Sequence, residues 1–307
     1  MNAISIPQMA KPIVDDLQLI ANNNLCCACG QSGVGGRKEN QDTYGGVGNA
    51  DKVILTVCDG MGGAAGGQIA SSIAVREIIA HLCTIPAQEI TVESVRNAIL
   101  LANKAIYQHA AEVPQLREMG TTATVLVITQ RAAYVAHVGD SRIYRIRKGK
   151  KTFRTFDHSR VFEMVEQGIL TEEQARQSSF SNIITRALGI RPTVEVDVAE
   201  IPYKKGDRFF LCCDGIWNTE PEPDIIKLFA IKDTPQNVVT QITATVNDKG
   251  IERGCEHDNL TIIMAEMKQS SEYQHSMFHN TSRRLSAFCK RLKSKTEKYS
   301  DHNLPLK

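Results

Sequence analysis

Two segments of the chain share a pattern that could place carboxylates side by side. VILTVCDG at 53–60 and RFFLCCDG at 208–215 are apolar runs of strand length that end in Cys-Asp-Gly. The pattern predicts Asp59 and Asp214 at strand ends, where the following glycine lets the backbone approach a ligand closely. Two such carboxylates repel one another unless a cation or a proton neutralises them, and oxygen-rich sites suit Mg2+ or Mn2+. Taken singly, each segment also fits an ordinary Asp-Gly turn.

Three further acidic positions favour a site over a set of unrelated turns. Asp42 ends RKENQD at 37–42, Asp140 lies between two strand-like runs, and Asp258 precedes the last expected strand. The Arg37 guanidinium in the first of these motifs can hold a phosphate through two hydrogen bonds. Five acidic residues at strand ends or in loops, together with such an arginine, are the components of two-metal hydrolysis of a phosphate ester.

Eight motifs occur in the order and spacing of a known family. They are R-x-x-N-Q-D (37–42), V-C-D-G-M-G-G (57–63), G-T-T-A (120–123), H-V-G-D-S-R (137–142), D-H-S (157–159), T-R-A-L-G (185–189), C-D-G-I-W (213–217) and D-N-L-T (258–261). The set resembles the metal-dependent protein serine/threonine phosphatases, the protein phosphatase 2C family, and is most similar to its bacterial members. The resemblance extends from about residue 25 to 268.

The resemblance implies the fold, the reaction and the cofactors. The fold is α+β, a four-layer α-β-β-α sandwich of two antiparallel sheets flanked by helices, with the active site at one edge of the sheets. The reaction is hydrolysis of phosphoserine and phosphothreonine in proteins by direct attack of a water or hydroxide that bridges two metals, without a phosphoenzyme. The cofactors are two Mn2+ or Mg2+ ions per site, and a third, weaker ion is left open.

The resemblance also implies the metal ligands, position by position. Asp59 bridges the two ions, so its removal is expected to abolish turnover, and the Gly60 carbonyl holds one of them. Asp214 and Asp258 are ligands of the other ion, and Asp42 acts through a metal-bound water.

Arg37 is expected to hold the substrate phosphate and is a catalytic residue together with Asp59, and Asp140 is expected to bind the third ion. The sequence departs from the family pattern at two informative places. Met61 stands where many eukaryotic members have a histidine, so no imidazole can protonate the leaving group from there. His137 stands where the family usually has asparagine.

Other chemistries find less support in the residues. Cys26 and Cys29 form a C-x-x-C without the second pair or nearby histidine that would complete a zinc site. No cysteine has an arginine six positions on, no G-K-[ST] follows the glycine-rich 30–36, and the adjacent residues 157–159 cannot converge as a catalytic triad. The alternative that remains is a catalytically weak family member that binds phosphoproteins as a regulatory module.

The apolar pattern indicates the elements that must position these residues. Strands are expected at 53–58, 120–129, 131–139, 141–147 and 259–267, with the three from 120 to 147 as consecutive antiparallel strands. Two apolar stripes with helical spacing are formed by Val75, Ile78, Ile79 and Leu82 and by Val92, Val95, Ile99, Ala102 and Ile106. Thr171 and Thr234 are expected to open later helices. Strands and helices without strict alternation favour an α+β sandwich over a doubly wound sheet.

Composition limits the class of protein and indicates its cellular compartment and partners. Hydrophobic residues make up 42% and charged residues 23% of 307, which excludes a disordered or fibrous chain. A net charge of +2 gives no basic field for nucleic acid. Asp15 and Asp16 interrupt any signal-like stretch, and nine cysteines in a chain of this length favour free thiols in the cytoplasm. The expected partners are phosphoprotein substrates and an opposing serine/threonine kinase.

Three parts of the chain are expected. Residues 1–24 form an N-terminal extension, 25–268 the catalytic domain with a flap-like segment at about 148–200, and 269–307 a basic tail with 8 Lys/Arg against 3 Asp/Glu. The tail is expected to be a solvated extension. Its charge and the apolar stripe of Leu285, Phe288 and Leu292 raise the alternative of a weak contact with an anionic membrane or an acidic partner.

Overall fold

The apolar runs of the sequence form strands that are buried on both faces. The structure is a computed structural model that describes residues 15–62, 66–178, 180, 183–254 and 257–272. The chain divides into two units, 1–272 and 273–307, and every described residue belongs to the first. In chain order the strands of the described residues are β1 (Gln18–Asn22), β2 (Cys26–Gly33), β3 (Thr43–Gly48), β4 (Lys52–Cys58), β5 (Gly60–Met61), β6 (Gly120–Thr121), β7 (Ala123–Thr129), β8 (Ala133–Val138), β9 (Arg142–Arg147), β10 (Lys150–Arg154), β11 (Asp197–Ile201), β12 (Arg208–Cys212) and β13 (Leu260–Met267).

Two antiparallel sheets make up the centre of the fold. One has six strands in the order β1-β2-β13-β12-β9-β10, and the other has five in the order β11-β8-β7-β4-β3. β5 and β6 form a separate two-stranded pair. Cys58 pairs with Thr43 and Cys212 pairs with Ile262, so the residues that follow β4 and β12 emerge beside the residues that precede β3 and β13.

Helices cover the outer faces of both sheets. In chain order they are α1 (Gly66–Thr84), α2 (Val92–Glu112), α3 (Arg160–Glu166), α4 (Glu172–Arg176), α5 (Asp214–Trp217), α6 (Glu222–Phe229) and α7 (Pro235–Glu252). α1 and α2 pack on the five-stranded sheet, and α7 packs on β2 and β13 of the six-stranded sheet. Thr91, Thr171 and Thr234 accept hydrogen bonds from backbone amides in the first turns of α2, α4 and α7, as N-cap residues do.

Side chains along β12 alternate between two cores. Phe209 and Leu211 belong to the core between the two sheets, whereas Phe210 and Cys212 belong to the core between the six-stranded sheet and its helices. Because successive residues of a strand point to opposite faces, a strand that is covered on both faces must be apolar throughout. The predicted α+β sandwich of two antiparallel sheets flanked by helices is therefore confirmed.

The third of the strands expected between 120 and 147 lies in the other sheet. β7 and β8 pair with each other, but β9 pairs with β12 and β10. The chain crosses between the sheets at Gly139, whose φ is +100° and whose place leaves no room for a Cβ, which would lie 2.6 Å from Thr122 Cγ2. A left-handed residue redirects the chain, which periodicity alone does not reveal.

The packed chain includes residues on both sides of 25–268. Before residue 25, β1 pairs with β2 as the edge of the six-stranded sheet. At the other end, the backbone amides of Ser271 and Glu272 donate to the carbonyls of Tyr203 and Gln130, so the packed chain continues past residue 268. Leu285, Phe288 and Leu292 of the tail lie outside the described residues. Within the described part, no helix has the length and apolar character that spanning a bilayer requires.

A buried ion pair joins the six-stranded sheet to the segment at 148–200, which holds β10, α3 and α4. Arg142 Nε and Nη2 donate to the two carboxylate oxygens of Asp157 at 2.7 and 2.6 Å, and these side chains are 3% and 0% exposed. The guanidinium also donates to the Tyr144 hydroxyl and lies 3.3 Å from the centre of the Trp217 ring. Because both charges are buried, each depends on the other for its stability.

Replacing Asp157 with alanine should lower the free energy of unfolding by about 3–5 kcal/mol, because it leaves the buried Arg142 guanidinium without its counter-ion. Urea unfolding followed by the fluorescence of Trp217, the chain's single tryptophan, measures the change. Arg76→Ala, which breaks the exposed pair with Glu77, is the control and should change stability by less than about 1 kcal/mol. Equal losses in the two variants would contradict the assignment.

Candidate metal centre

Five aspartates gather at one end of the two sheets. Asp42 and Asp59 adjoin β3 and β4 of the five-stranded sheet, Asp214 and Asp258 adjoin β12 and β13 of the six-stranded sheet, and Asp140 lies where the chain crosses between them. Each sheet therefore contributes one pair, because its two strands run antiparallel and end together.

Six of the seven predicted site residues line one cleft. They are Arg37, Asp59, Gly60, Asp140, Asp214 and Asp258. The seventh, Asp42, is buried close enough to Asp59 for its charge to raise the pKa of that carboxyl. Residues separated by up to 221 positions in sequence thus meet in one place.

The carboxylates of the cluster disfavour one another's charge. Burial and the neighbouring charges of Asp42 and Asp214 raise the pKa of Asp59 well above its usual value. Burial, followed by the charges of Asp140 and Asp258, does the same for the pKa of Asp214. Burial raises the pKa of Asp42 to about 6, and burial with the charge of Asp157 raises the pKa of Asp140 to about 7. A cation in this place would relieve the repulsion.

Unpartnered oxygens in the cluster fit a metal site. Both carboxylate oxygens of Asp42 and Oδ1 of Asp214 are buried without a hydrogen-bond partner. Buried polar atoms in folded proteins nearly always have a partner. Carboxylate and carbonyl oxygens are the donors that Mg2+ and Mn2+ prefer, so the residues present fit hard divalent cations.

The backbone around Asp59 is fixed from one side by the threonines of the β6–β7 region. The hydroxyl of Thr122 accepts from the Asp59 amide at 2.9 Å, and its own amide donates to the Asp59 carbonyl at 2.8 Å. The Thr121 hydroxyl donates to the same carbonyl at 2.8 Å. On the other side, a Cβ at Gly60 would lie 2.1 Å from the Gly67 carbonyl oxygen, so only glycine fits next to Asp59.

Asn259 anchors the turn that carries Arg37. Its side-chain amide donates to the carbonyls of Val34 and Glu39 at 2.8 and 3.0 Å, and its Oδ1 accepts from the Gln41 amide at 2.9 Å. Sequence reasoning assigned Asn259 no role, although it follows Asp258 directly in a loop before a strand, where asparagine side chains often bond to nearby backbone. Thr122 was likewise noted only as part of a motif.

Arg37 lies at the mouth of the cleft. Its side chain is 55% exposed, and Nη2 donates to Oδ2 of Asp258 at 2.8 Å. A guanidinium in this position can exchange the carboxylate for the oxygens of a phosphate group, which present the same planar pair of acceptors.

Asp140 is held through its backbone by three elements. Trp217 Nε1 donates to the Asp140 carbonyl at 3.1 Å, and Ser141 exchanges a 2.8 Å hydrogen bond with the Thr122 hydroxyl. The amide of Gly139 donates to Nδ1 of His158 at 3.2 Å. The carboxylate of Asp140 is thereby directed into the cleft.

The remaining cleft wall is apolar in part. Met61 and Ile184 both line the cleft, and no histidine is found among its described lining residues. Cys26 and Cys29 are buried in β2, and burial raises the pKa of each thiol to about 12, so the C-x-x-C belongs to the sheet.

Comparison with known proteins agrees with this geometry. Residues 29–251 match the family model described as protein phosphatase 2C. The serine/threonine phosphatase stp of Listeria innocua is 33% identical over 235 residues, 75% of this chain and 91% of that protein. The phosphatase MsPP of Mycobacterium smegmatis, solved with cacodylate, has a TM-score of 0.68 at 29% identity and covers 79% of this chain and 99% of that one.

A solved structure of the catalytic domain of the serine/threonine protein phosphatase PstP is described as a complex with two manganese ions. It has a TM-score of 0.63 at 27% identity and covers 79% of this chain and 98% of that one. The match of the family model over most of the chain, together with relatives of this similarity, carries the conclusion: the chain belongs to the protein phosphatase 2C family.

Proposed function

We propose that this protein is a metal-dependent protein serine/threonine phosphatase that hydrolyses phosphoserine and phosphothreonine by direct attack of water on phosphorus. The observation that supports the proposal most is a cluster of carboxylates at one cleft, with buried unpartnered oxygens on Asp42 and Asp214 and an exposed arginine, Arg37, at the cleft mouth. The relatives from Listeria innocua and Mycobacterium tuberculosis are named serine/threonine phosphatases, which supports the same activity here.

The proposed cofactors are two Mn2+ or Mg2+ ions. Asp59 would contact both, the Gly60 carbonyl would contribute to one, Asp214 and Asp258 would hold the other, and Asp42 would act through water. When bound, such ions supply a nucleophilic water at neutral pH and offset the charge of the phosphate. The two manganese ions named for PstP support this count. Asp140 would serve a third ion; it lines the same cleft as Asp214, and its charge raises the pKa of that carboxyl.

The chain's own residues have three tasks in the reaction. Arg37 binds the phosphate oxygens with the guanidinium group that donates to Asp258 in this structure. Its hydrogen bond to Asp258 is therefore broken when the phosphate binds. Thr122 and Asn259 hold the backbone on which the reacting groups lie. Met61 and Ile184 present an apolar wall to the substrate beside the acidic cluster, which excludes water from that side of the phosphate.

The proposed setting is a cytoplasmic signalling system in which this phosphatase opposes a serine/threonine kinase. The seven cysteines among the described residues are free thiols, which supports a reducing compartment. The basic tail remains a proposal for weak contact with an anionic membrane or an acidic partner. The net charge of +2 gives no support to a nucleic-acid partner.

Asp59→Asn should lower the rate of phosphate release from a phosphothreonine peptide in Mn2+ by about 10³-fold or more, because metal ions contribute several kcal/mol to the transition state. Asp51→Asn, an exposed carboxylate in the turn between β3 and β4, at the opposite end of β4 from Asp59, is the control and should keep full activity. If the wild type binds Mn2+ but releases no phosphate, the protein is instead the catalytically weak binding module.

Asp214→Asn should stabilise the metal-free protein, because it removes one charge from a cluster of mutually repelling carboxylates. In EDTA we expect a thermal midpoint about 2–4 °C above that of the wild type, which corresponds to about 1 kcal/mol. In Mn2+ the order should reverse, since the wild type gains binding energy that the variant lacks. A variant that is less stable than the wild type in both conditions would contradict a repulsive cluster.

Arg37→Ala should raise KM for the phosphopeptide by about 10–100-fold, since a charge-assisted bond to a phosphate is worth about 1.5–3 kcal/mol. Lys38→Ala removes the same charge from the next residue of the cleft rim and should change KM far less. Steady-state kinetics of the two variants at one ionic strength compares them. Equal effects would mean that Arg37 acts only through the general field of the cleft.

A further inference from the structure

A second cluster of metal-ligating side chains lies apart from the acidic cluster. His137, His158 and Asp197 each offer one ligand atom, and these three atoms lie within 4.8 Å of one another. His137 in β8 and Asp197 in β11 are directly paired across the five-stranded sheet. His158 approaches them from the segment that joins β10 to α3.

His137 is prepared for a ligand role by its backbone partner. Its ring is buried, and Nε2 lies 2.8 Å from the carbonyl oxygen of Phe156. A carbonyl accepts only from an N–H, so Nε2 carries the proton and Nδ1 has the free lone pair. Histidines that bind metals usually donate their other ring N–H to a carbonyl or carboxylate in this way. Burial and the nearby His158 lower the pKa of His137 to about 4, so the ring is neutral at pH 7.

Asp197 completes the donor set and opens it to solvent. Its Oδ2 lies 3.3 Å from Nε2 of His158, and its side chain is 51% exposed. Partial burial opposes the charge of Asp197, but the hydrogen bond from His158 and the nearby Arg186 guanidinium contribute to lowering its pKa to about 2. Two imidazoles and one carboxylate are the donors of many zinc sites, whereas the all-oxygen acidic cluster suits harder ions.

Three features of the structure set what binding would require. Arg186 Nη1 lies 3.2 Å from His158 Nε2 and 3.3 Å from Asp197 Oδ1. A metal ion could bind only if the Arg186 guanidinium moved away from these two atoms, and its ion pair with Glu195 could hold it in the new position. The two histidine rings are stacked with centroids 4.4 Å apart, and they must tilt until their lone pairs converge. Tetrahedral ligands at about 2.1 Å from zinc lie about 3.4 Å apart, so ligand atoms that lie within 4.8 Å of one another would have to approach by up to about 1.4 Å.

A further requirement concerns the tautomer of His158. Its Nδ1 accepts from the Gly139 amide, so its proton is on Nε2. A metal could bind Nε2 only after that proton had moved to Nδ1, and the hydrogen bond from the Gly139 amide would then be lost. Because Gly139 immediately precedes Asp140, the second cluster is mechanically connected to the acidic one. Binding is accordingly weaker than at a preformed structural zinc site.

We propose that His137, His158 and Asp197 form a binding site for one transition-metal ion of the zinc class, separate from the acidic cluster. The site goes beyond the phosphatase function proposed above and does not depend on it, because it rests on its own donors, their mutual distances and the tautomer of His137.

The test is Zn2+ binding to the full chain by equilibrium dialysis and elemental analysis, in a large excess of Mg2+ that occupies the acidic cluster. The wild type should retain one Zn2+ per chain more than His137→Asn or Asp197→Asn. His109→Asn, which removes a histidine of α2 outside the cluster, should retain the wild-type amount. Asp59→Asn should also retain it, because the acidic cluster is not the site that is measured.

Co2+ provides a second readout that does not depend on counting ions. The visible absorption of Co2+ bound by nitrogen donors should appear in the wild type and in Asp59→Asn and should be lost in His137→Asn. Asp197→Asn alters a half-exposed side chain, and circular dichroism with a thermal melt checks that both variants fold. Equal Zn2+ in wild type, His137→Asn and Asp197→Asn would overturn the proposal. Loss of the extra ion in Asp59→Asn alone would assign it to the acidic cluster and overturn the proposal equally.

Discussion

The mutual repulsion of carboxylates buried at one end of two sheets is the constraint on which the rest of this structure depends. Asp42, Asp59, Asp140 and Asp214 all have raised pKa values for the same two reasons, burial and neighbouring negative charge. Mutually repelling carboxylates move apart unless the backbone fixes their positions. Antiparallel strand ends, the glycine at position 60 and the clamps of Thr122 and Asn259 provide that rigidity.

The buried ion pair of Arg142 and Asp157 differs from the acidic cluster, because its charges are neutralised within the protein. Arg142 and Asp157 are more deeply buried than the acidic cluster, but both charged groups of the pair have partners within the protein. The oxygens of Asp42 have none. A buried pair that is satisfied internally holds the fold together, whereas buried oxygens left without donors are available to something from outside. The presence or absence of internal hydrogen-bond partners therefore distinguishes buried charges that stabilise the fold from buried charges that can bind a ligand.

Local patterns were enough to predict much of this site. An apolar run that ends in Asp-Gly placed Asp59 and Asp214 at strand ends, and the family resemblance of the eight motifs implied the sandwich of two antiparallel sheets. What could not be predicted depends on contacts between distant residues. The transfer of β9 to the second sheet turns on one left-handed glycine, and the role of Asn259 depends on carbonyls more than 200 positions away. The convergence of His137, His158 and Asp197 likewise needs the strand register of β8 and β11.

The division of the acidic cluster between the two sheets has a consequence for how the chain folds. Neither sheet alone holds more than a pair of these carboxylates at strand ends, so the full charge is assembled only when the sheets dock face to face. Docking of the two sheets brings together residues that are far apart in sequence. Electrostatic repulsion within the cluster therefore opposes the docked arrangement. A divalent cation that neutralised the cluster would favour that arrangement, so metal binding and the stability of the docked sheets would be linked.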